Sequence, residues 1–327
     1  MIEVINAGLY TTVQDYPGRV GYWNVGIPPS GPMDALAFRI ANKLVSNGDH
    51  EAGLEITATG PALKFLSDAT VALAGAKLQG TMNGKEVPWW ETLYVEKGTV
   101  LSLGAVQGSG WRSYLAVGGG IDVPDYLGSK STFPQGHFGG YEGRSLMKGD
   151  LIHINKGIPE FHRHWKSAAA IIPQYETEWE VGAIPGPHAA PDFFTPVDVE
   201  TFYSTQWRVH YNSNRLGYRL EGPKPQFARK DGGEGGRHPS NVPDYAYAIG
   251  TVNFTGDMPI ILTVDGPSLG GFVSLATVTT SELWKIGQAK PHDFVRFKEL
   301  TVEEAIEQLS RQEQLLQSLA LNIARTE

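Results

Sequence analysis

The chain of 327 residues contains no cysteine. Disulfides, thiolate zinc sites and a cysteine nucleophile are therefore excluded, and the composition suits a reducing compartment. A basic excess is also missing: 27 Lys and Arg stand against 35 Asp and Glu, for a net charge of -8. Gripping a nucleic-acid backbone calls for the opposite balance, so no nucleic-acid partner is expected. No stretch approaches the ~18 consecutive apolar residues of a membrane span. The opening MIEVINAGLYTTVQDYPGR lacks the basic start and apolar run of a signal peptide. We expect a cytoplasmic protein with no membrane partner. The P-loop pattern GxxxxGK[ST], a GxGxxG within a strand–helix–strand unit, and the hydrolase elbow GxSxG are all absent. His162 and His164 stand two apart with no third ligand at a familiar spacing, and His188, His210 and His238 are scattered. No metal site is expected.

What is present is glycine (39) and proline (21), spread between short apolar runs. Residues 69–76, 92–104, 111–121, 150–154, 207–212 and 258–264 are rich in β-branched residues and flanked by turn formers, so they read as strands. Many short strands with this punctuation indicate barrels or sandwiches. Three stretches read as helix. Residues 30–47 offer Ser30 as a cap and Pro32 in the first turn; residues 194–204 repeat the device with Thr195 and Pro196. The tail, 301–325, begins with a Thr301/Glu304 capping box. It reads first as a helix docking on its own domain, and second as a partner-binding helix or a lead into a downstream module. The fold class is mainly β with a few helices, a β-rich α+β protein. A boundary near residue 170 divides it into 1–170 and 171–327.

Three loops concentrate chemistry. DGGEGGRHPSN (231–241) carries Asp231, Glu234, Arg237, His238, Ser240 and Asn241 among four glycines. Glycine lets a backbone approach a ligand closely, but a hairpin or mobile surface loop would have the same glycines. A plain hairpin does not need so many acids, donors and amides. IPPSGPMDALA (27–37) places Ser30 at a turn before a helix, where it could hold an anion or simply cap. DGPSLGGF (265–272) sets Asp265 after a strongly β run, then Ser268 and three further glycines; a strand end and a Pro–Gly turn explain it equally.

Together with residues 8–47, 131–150, 210–272 and 282–297, these loops resemble the carboxyltransferase subdomain A/B family, also called allophanate hydrolase subunit 2. The NSNRLG, HPSN and DGPSLGGF segments resemble most the carboxyltransferase portion of biotin-dependent urea carboxylase, as in urea amidolyase. Ser46, His292 and the run SLATV (274–278) depart slightly from the family pattern. The resemblance implies two β-rich subdomains, at least one a cyclophilin-like barrel, the first over 1–170 and the second over 171–327 with the C-terminal helix. It implies transfer of a carboxyl group from carboxybiotin, carried on a separate protein, to a urea-type nitrogen. Its partners would be a sister subunit (the C/D half, allophanate hydrolase subunit 1 or KipI-type), a biotin carrier and a biotin carboxylase, and the chain alone would be inactive. The alternatives are the C subunit of an ATP-dependent 5-oxoprolinase, or a KipA-type regulatory binding subunit.

Within that implied chemistry, Asn241 suits urea, because an amide offers both donor and acceptor to a neutral planar diamide. Arg215 and Arg237 are candidates for holding a carboxylate or ureido oxygen. Asp231, Glu234 and Asp265 are candidates for a base or for orienting donors. His238, Ser240, Asn214 and Ser268 are further substrate-binding candidates, and the helix start at Ser30 would seat the carboxyl group being moved.

Overall fold

The computed structural model describes residues 1–155, 165–232, 235–322 and 324–325. They form two units: Met1–Val20 with Pro29–Tyr175 and Glu313–Glu327, and Gly21–Pro28 with Glu176–Gln312. The main passage between units falls at Tyr175 and Glu176. The short segment Gly21–Pro28 counts with the second unit, where the Trp23 indole donates to the Tyr247 carbonyl at 2.7 Å.

In the first unit two antiparallel sheets face each other. The seven-stranded sheet runs Ile121–Asp122, Leu151–Ile154, Ile2–Asn6, Ala62–Phe65, Val100–Val106, Leu78–Met82, Lys85–Glu86. The five-stranded sheet runs Tyr10–Gln14, Gly53–Thr57, Arg112–Val117, Ala69–Gly75, Thr92–Val95. Period-two alternation turns Ile2, Val4, Leu63, Phe65 and Leu101 of one sheet toward Leu54, Ile56, Leu73, Leu115 and Val117 of the other. Each such side chain, fully withdrawn from water, contributes roughly 1.5–3 kcal/mol. The expected single strand 92–104 is two, Thr92–Val95 and Val100–Val106, separated by a turn at Gly98 with φ 91°.

Helix α1, Ala35–Leu44, buries Leu36, Phe38, Ile40 and Leu44 against the Ala69–Gly75 and Arg112–Val117 strands. Its start corrects the sequence reading. Ser30 (φ 58°) and Gly31 (φ 87°) are both left-handed, a conformation no helix can begin with, and Asp34 is the cap, accepting from the Ala37 amide at 2.9 Å. A buried polar network supports this start. The Tyr114 hydroxyl donates to Glu55 Oε2 (2.9 Å) and accepts from the Asp34 amide (2.7 Å), while the Tyr175 hydroxyl donates to Asp34 Oδ2 (3.1 Å). Burial first, then the charges of Glu55 and Asp34, push the Tyr114 phenol far above its ordinary range.

The second unit is built on a closed seven-stranded barrel, the barrel that the family resemblance implies. Its order is Glu178–Pro185, Ser274–Val278, Thr251–Thr255, Met258–Leu262, Gly217–Glu221, Trp207–Val209, Phe294–Glu299, and the last strand closes in parallel on the first. Outside the barrel, Asn241–Ala246 pairs with Leu269–Phe272. Helix α2, Pro196–Ser204, starts at the expected Thr195–Pro196, where Asp198 adds a capping box that was not expected, and its Phe202 stacks on Phe297 at 4.4 Å between centroids. Helix α3, Leu283–Gln288, is too short to show a period and was not expected.

Helix α4, Val302–Asn322, begins at the expected box, with the Thr301 amide 2.8 Å from Glu304 Oε2 and the Glu304 amide 3.1 Å from Thr301 Oγ1. The expectation was docking on its own domain, 171–327; the end of the helix from Glu313 counts instead with the first unit. In the first unit Leu316 is 1% exposed and Glu313 takes both arms of Arg39, at 2.5 and 2.8 Å. Arg39 holds the Glu313 carboxyl below its ordinary range. Solvent screening leaves that pair worth about 1 kcal/mol or less. A lowered carboxyl pKa contributes in the neutral range and fades as pH falls through the lowered value. Among the described residues no helix is long and apolar enough to cross a membrane.

The Tyr114 network predicts that Tyr114→Phe, which removes the hydroxyl bonded to both the Asp34 amide and Glu55 Oε2, destabilises the chain by about 1–3 kcal/mol in denaturant unfolding. An unchanged unfolding midpoint would show the network to be dispensable.

Candidate functional site

Two of the segments singled out in the sequence meet at one rim of the barrel. The Asn214 side chain accepts from the Leu216 amide at 2.8 Å, turning the chain into the Gly217–Glu221 strand. The next residue, Arg215, sends its guanidinium inward to Asp265: Nε to Oδ2 at 2.7 Å and a second nitrogen to Oδ1 at 3.2 Å. Both side chains are about 5% exposed, and the Asp265 amide donates to the Arg215 carbonyl at 3.0 Å. The expected clamp and base are thus tied to each other, with Asp265 aligning Arg215. Ser268, 6% exposed, lies in the turn that follows, and its carbonyl accepts from the Tyr247 amide at 2.8 Å.

Between these turns lies a cavity of about 350 Å³. Leu216, Ile260, Leu262, Pro267, Leu269 and Phe272 give it apolar walls; Asn214, Arg219, Tyr247, Asn253 and Thr255 supply its polar groups. Gly270 is required here, since a β-carbon would come within 2.8 Å of the Tyr247 ring. The Tyr247 hydroxyl accepts from the Phe272 amide at 2.9 Å. Burial raises the Tyr247 phenol above its ordinary value, so it remains protonated. Asn253 is 3% exposed and its Oδ1 has no hydrogen-bond partner. An unpaired buried acceptor costs about 1–3 kcal/mol.

The glycine-rich loop is placed differently from its sequence reading. Its glycines pack the loop onto its own strand: a β-carbon on Gly235 would lie 2.4 Å from the Val242 backbone, and one on Gly236 2.6 Å from Asn241 Nδ2. Ser240 is fully buried, receives the Gly256 amide on its hydroxyl at 3.2 Å, and lies 2.9 Å from His238 Nδ1. The Ser240 amide also points at His238 Nδ1 (3.2 Å), which puts the ring proton on Nε2, 3.5 Å from Asp257. The order acid–imidazole–hydroxyl is that of a hydrolase triad, but a wholly buried hydroxyl cannot reach a substrate. His238 and Ser240 fasten the loop. Asn241, half-buried, sits opposite Phe272, which lines the cavity. Asp231 and Arg237 are exposed. Glu234 lies outside the described residues, as do His162 and His164. Ser30 belongs to the first unit, 2% exposed, with its hydroxyl unpartnered. No group of acids and histidines able to hold a metal occurs among the described residues.

Sequence reasoning missed Tyr247, Asn253, Arg219 and His188. The signal for Asn253 was present: an amide in the middle of the strand TVNFT is a buried polar group that needs a reason. His188 follows the first barrel strand. Its ring sits edge-on to Phe193 (4.7 Å) and Tyr245 (4.5 Å), and its Nδ1 accepts from the Ser274 amide at 3.3 Å. The Tyr245 hydroxyl bonds both the Phe272 carbonyl and the Ser274 hydroxyl. Burial, then the Arg229 charge, lowers the His188 pKa, so at neutral pH it is an uncharged imidazole with its proton on Nε2.

With this geometry in place, similarity to known proteins fixes the family. The chain matches the family described as carboxyltransferase domain, subdomain A and B, over residues 25–299, and it belongs to that family. It is 49% identical over 325 residues to the urea amidolyase of Saccharomyces cerevisiae, covering 97% of this chain and 18% of the yeast protein. It is 32% identical to the C subunit of 5-oxoprolinase from Escherichia coli, covering 98% of both. The crystal structure of the K. lactis urea amidolyase superposes with a TM-score of 0.92 at 45% identity, over 97% of this chain and 20% of that one. The chain therefore spans about a fifth of the amidolyases it resembles.

The His188 environment predicts an NMR titration midpoint below the ordinary 6.5. Arg229→Gln, by removing a cation that disfavours protonation, raises it. A midpoint at or above 6.5 in the unaltered protein would contradict this placement.

Proposed function

We propose that the chain is the A/B half of a carboxyltransferase that moves a carboxyl group from carboxybiotin to a urea nitrogen. The observation that carries this reading is the 49% identity to urea amidolyase across 97% of the chain, well above the 32% to the 5-oxoprolinase C subunit. The cavity supports it as well. Its volume of about 350 Å³ is roughly twelve water molecules' share of liquid, and apolar walls with a few polar groups suit a compact ring carrying a ureido group. Asn214, Tyr247, Asn253 and Phe272 would hold that ring. Biotin, carboxylated and delivered on a separate carrier by a biotin carboxylase, supplies the transferable carboxyl group. A sister protein, the C/D half, completes the assembly, and the chain alone is inactive.

The chain's own residues bind and orient. Asn241, at the edge of the cavity wall, offers donor and acceptor to a neutral diamide and so reads urea. Arg237, exposed on the same loop, is the cation offered to a carboxylate, and Asp231, also exposed, is the acid that takes a proton. Arg215 shapes the rim through Asp265. The Tyr245 and Tyr247 phenols, raised by burial, donate hydrogen bonds and do not act as bases.

A second reading has its own support: the match to the 5-oxoprolinase C subunit extends over 98% of each chain. Reconstitution with carrier, biotin carboxylase and the sister C/D half, assayed with urea, guanidine and 5-oxoproline, separates the two. Turnover of urea is expected, with Asn241→Asp lowering it and favouring guanidine. Turnover of 5-oxoproline alone would replace the first reading with the second, and an unchanged preference in Asn241→Asp would remove Asn241 from substrate reading.

A further inference from the structure

The barrel strand Gly217–Glu221 carries one cation, Arg219, between the buried Tyr218 and Leu220. Alternation turns Arg219 to the opposite face from those two. Register sets it opposite Ile260, and Ile260 opposite Asn253, so the three form one row, and all three line the cavity. The Arg219 guanidinium donates to the Asn212 carbonyl at 2.5 Å. Asn212 stands two residues before Asn214, so the charged head is fixed at the rim, beside the turn that Asn214 starts.

That carbonyl orients the head without neutralising it. A guanidinium is always charged and has five N–H donors in a planar fork, so one carbonyl leaves most of them to spare. Among the described residues no Asp or Glu lines the cavity. Glu221 projects from the same face of the strand but is engaged elsewhere, 3.5 Å from an Arg208 nitrogen and 3.7 Å from His210 Nε2. Arg237, the exposed cation of the loop 231–241, does not line the cavity. Arg219 is thus the cation of the lining, half-buried, with no counter-charge in that lining. Such a group gains most from an anion that arrives on a body the apolar walls can cover. The flat fork suits a carboxylate, which it can hold with two parallel hydrogen bonds.

We propose that Arg219 is the residue that receives the carboxylate of a small ring compound entering this cavity. Two ligand classes share ring and carboxylate: a carboxylated ureido ring, which the carboxyltransfer reading supplies, and 5-oxoproline, a lactam acid, which the second reading supplies. The inference rests on the proposed function only for the choice between them, and there it commits to the ureido ring. On that reading Arg219 positions the carboxyl group that is to move, while the apolar walls cover the ring.

The test is calorimetric titration of the full chain with imidazolidinone carboxylate, a cyclic urea bearing an acid, and with 5-oxoproline, each against its neutral carboxamide. The cyclic urea acid is expected to bind roughly tenfold tighter than its amide. Arg219→Gln keeps a donor for the Asn212 carbonyl. It is expected to abolish that preference while leaving the amide's affinity and the unfolding midpoint in place, and Arg219→Lys is expected to restore part of the preference. No binding of either acid, equal affinity for acid and amide, or a preference that survives Arg219→Gln would overturn the proposal. So would a preference lost in Arg237→Gln alone, which would return the carboxylate to the loop 231–241. An Arg219-dependent preference for 5-oxoproline, with none for the cyclic urea acid, would keep Arg219 as the carboxylate residue and remove the carboxyltransfer reading instead. That reading has its own separate check in urea turnover by the reconstituted assembly.

Discussion

One buried ion pair organises the barrel rim. Arg215 and Asp265 stand fifty residues apart, each about 5% exposed, and are joined by two hydrogen bonds plus a backbone bond. Burying either charge at that depth is costly, and their pairing offsets that cost. Their mutual need brings the turn after Asn214 against the turn before Leu269, and the space between those turns is the cavity. Its walls and oriented amides depend on the two turns staying together.

The same device recurs at lower stakes. Asp198 caps α2 and also takes the Gln226 and Phe227 amides at 2.7 and 3.1 Å, tying the helix start to a distant loop. In the first unit Tyr114, Glu55 and Asp34 fix the start of α1. In both units these paired polar groups set where loops lie, while the apolar cores set where sheets and helices lie; Ser30 Oγ and Asn253 Oδ1 are buried without a hydrogen-bond partner.

Much of the fold was legible in the sequence because its signals are local. Short β-branched runs between glycines and prolines marked the strands, and Thr195 with Pro196 and Thr301 with Glu304 marked two helix starts at their true positions. Ser30 misled because a serine before a proline imitates a cap, whereas the left-handed φ angles at Ser30 and Gly31 are tertiary properties. In the loop 231–241, Gly235 and Gly236 allow close approach to the loop's own strand, at Val242 and Asn241, which glycine content alone does not reveal. Residues of the cavity came from four strands and two turns, a juxtaposition no local pattern encodes. Motif resemblance pointed to the family and to the Arg215 and Asp265 segments, but only packing shows that those two are partners of each other.

Whether that pair is a clamp is addressed most directly by a double-mutant cycle with Arg215→Met and Asp265→Leu, read by denaturant unfolding. Each single change breaks the ion pair and is expected to cost on the order of 3 kcal/mol, while the double change, which buries neither of these two charges, recovers part of the loss. Additive costs, with the double variant as unstable as the sum of the singles, would show that the two side chains act independently and would contradict the clamp.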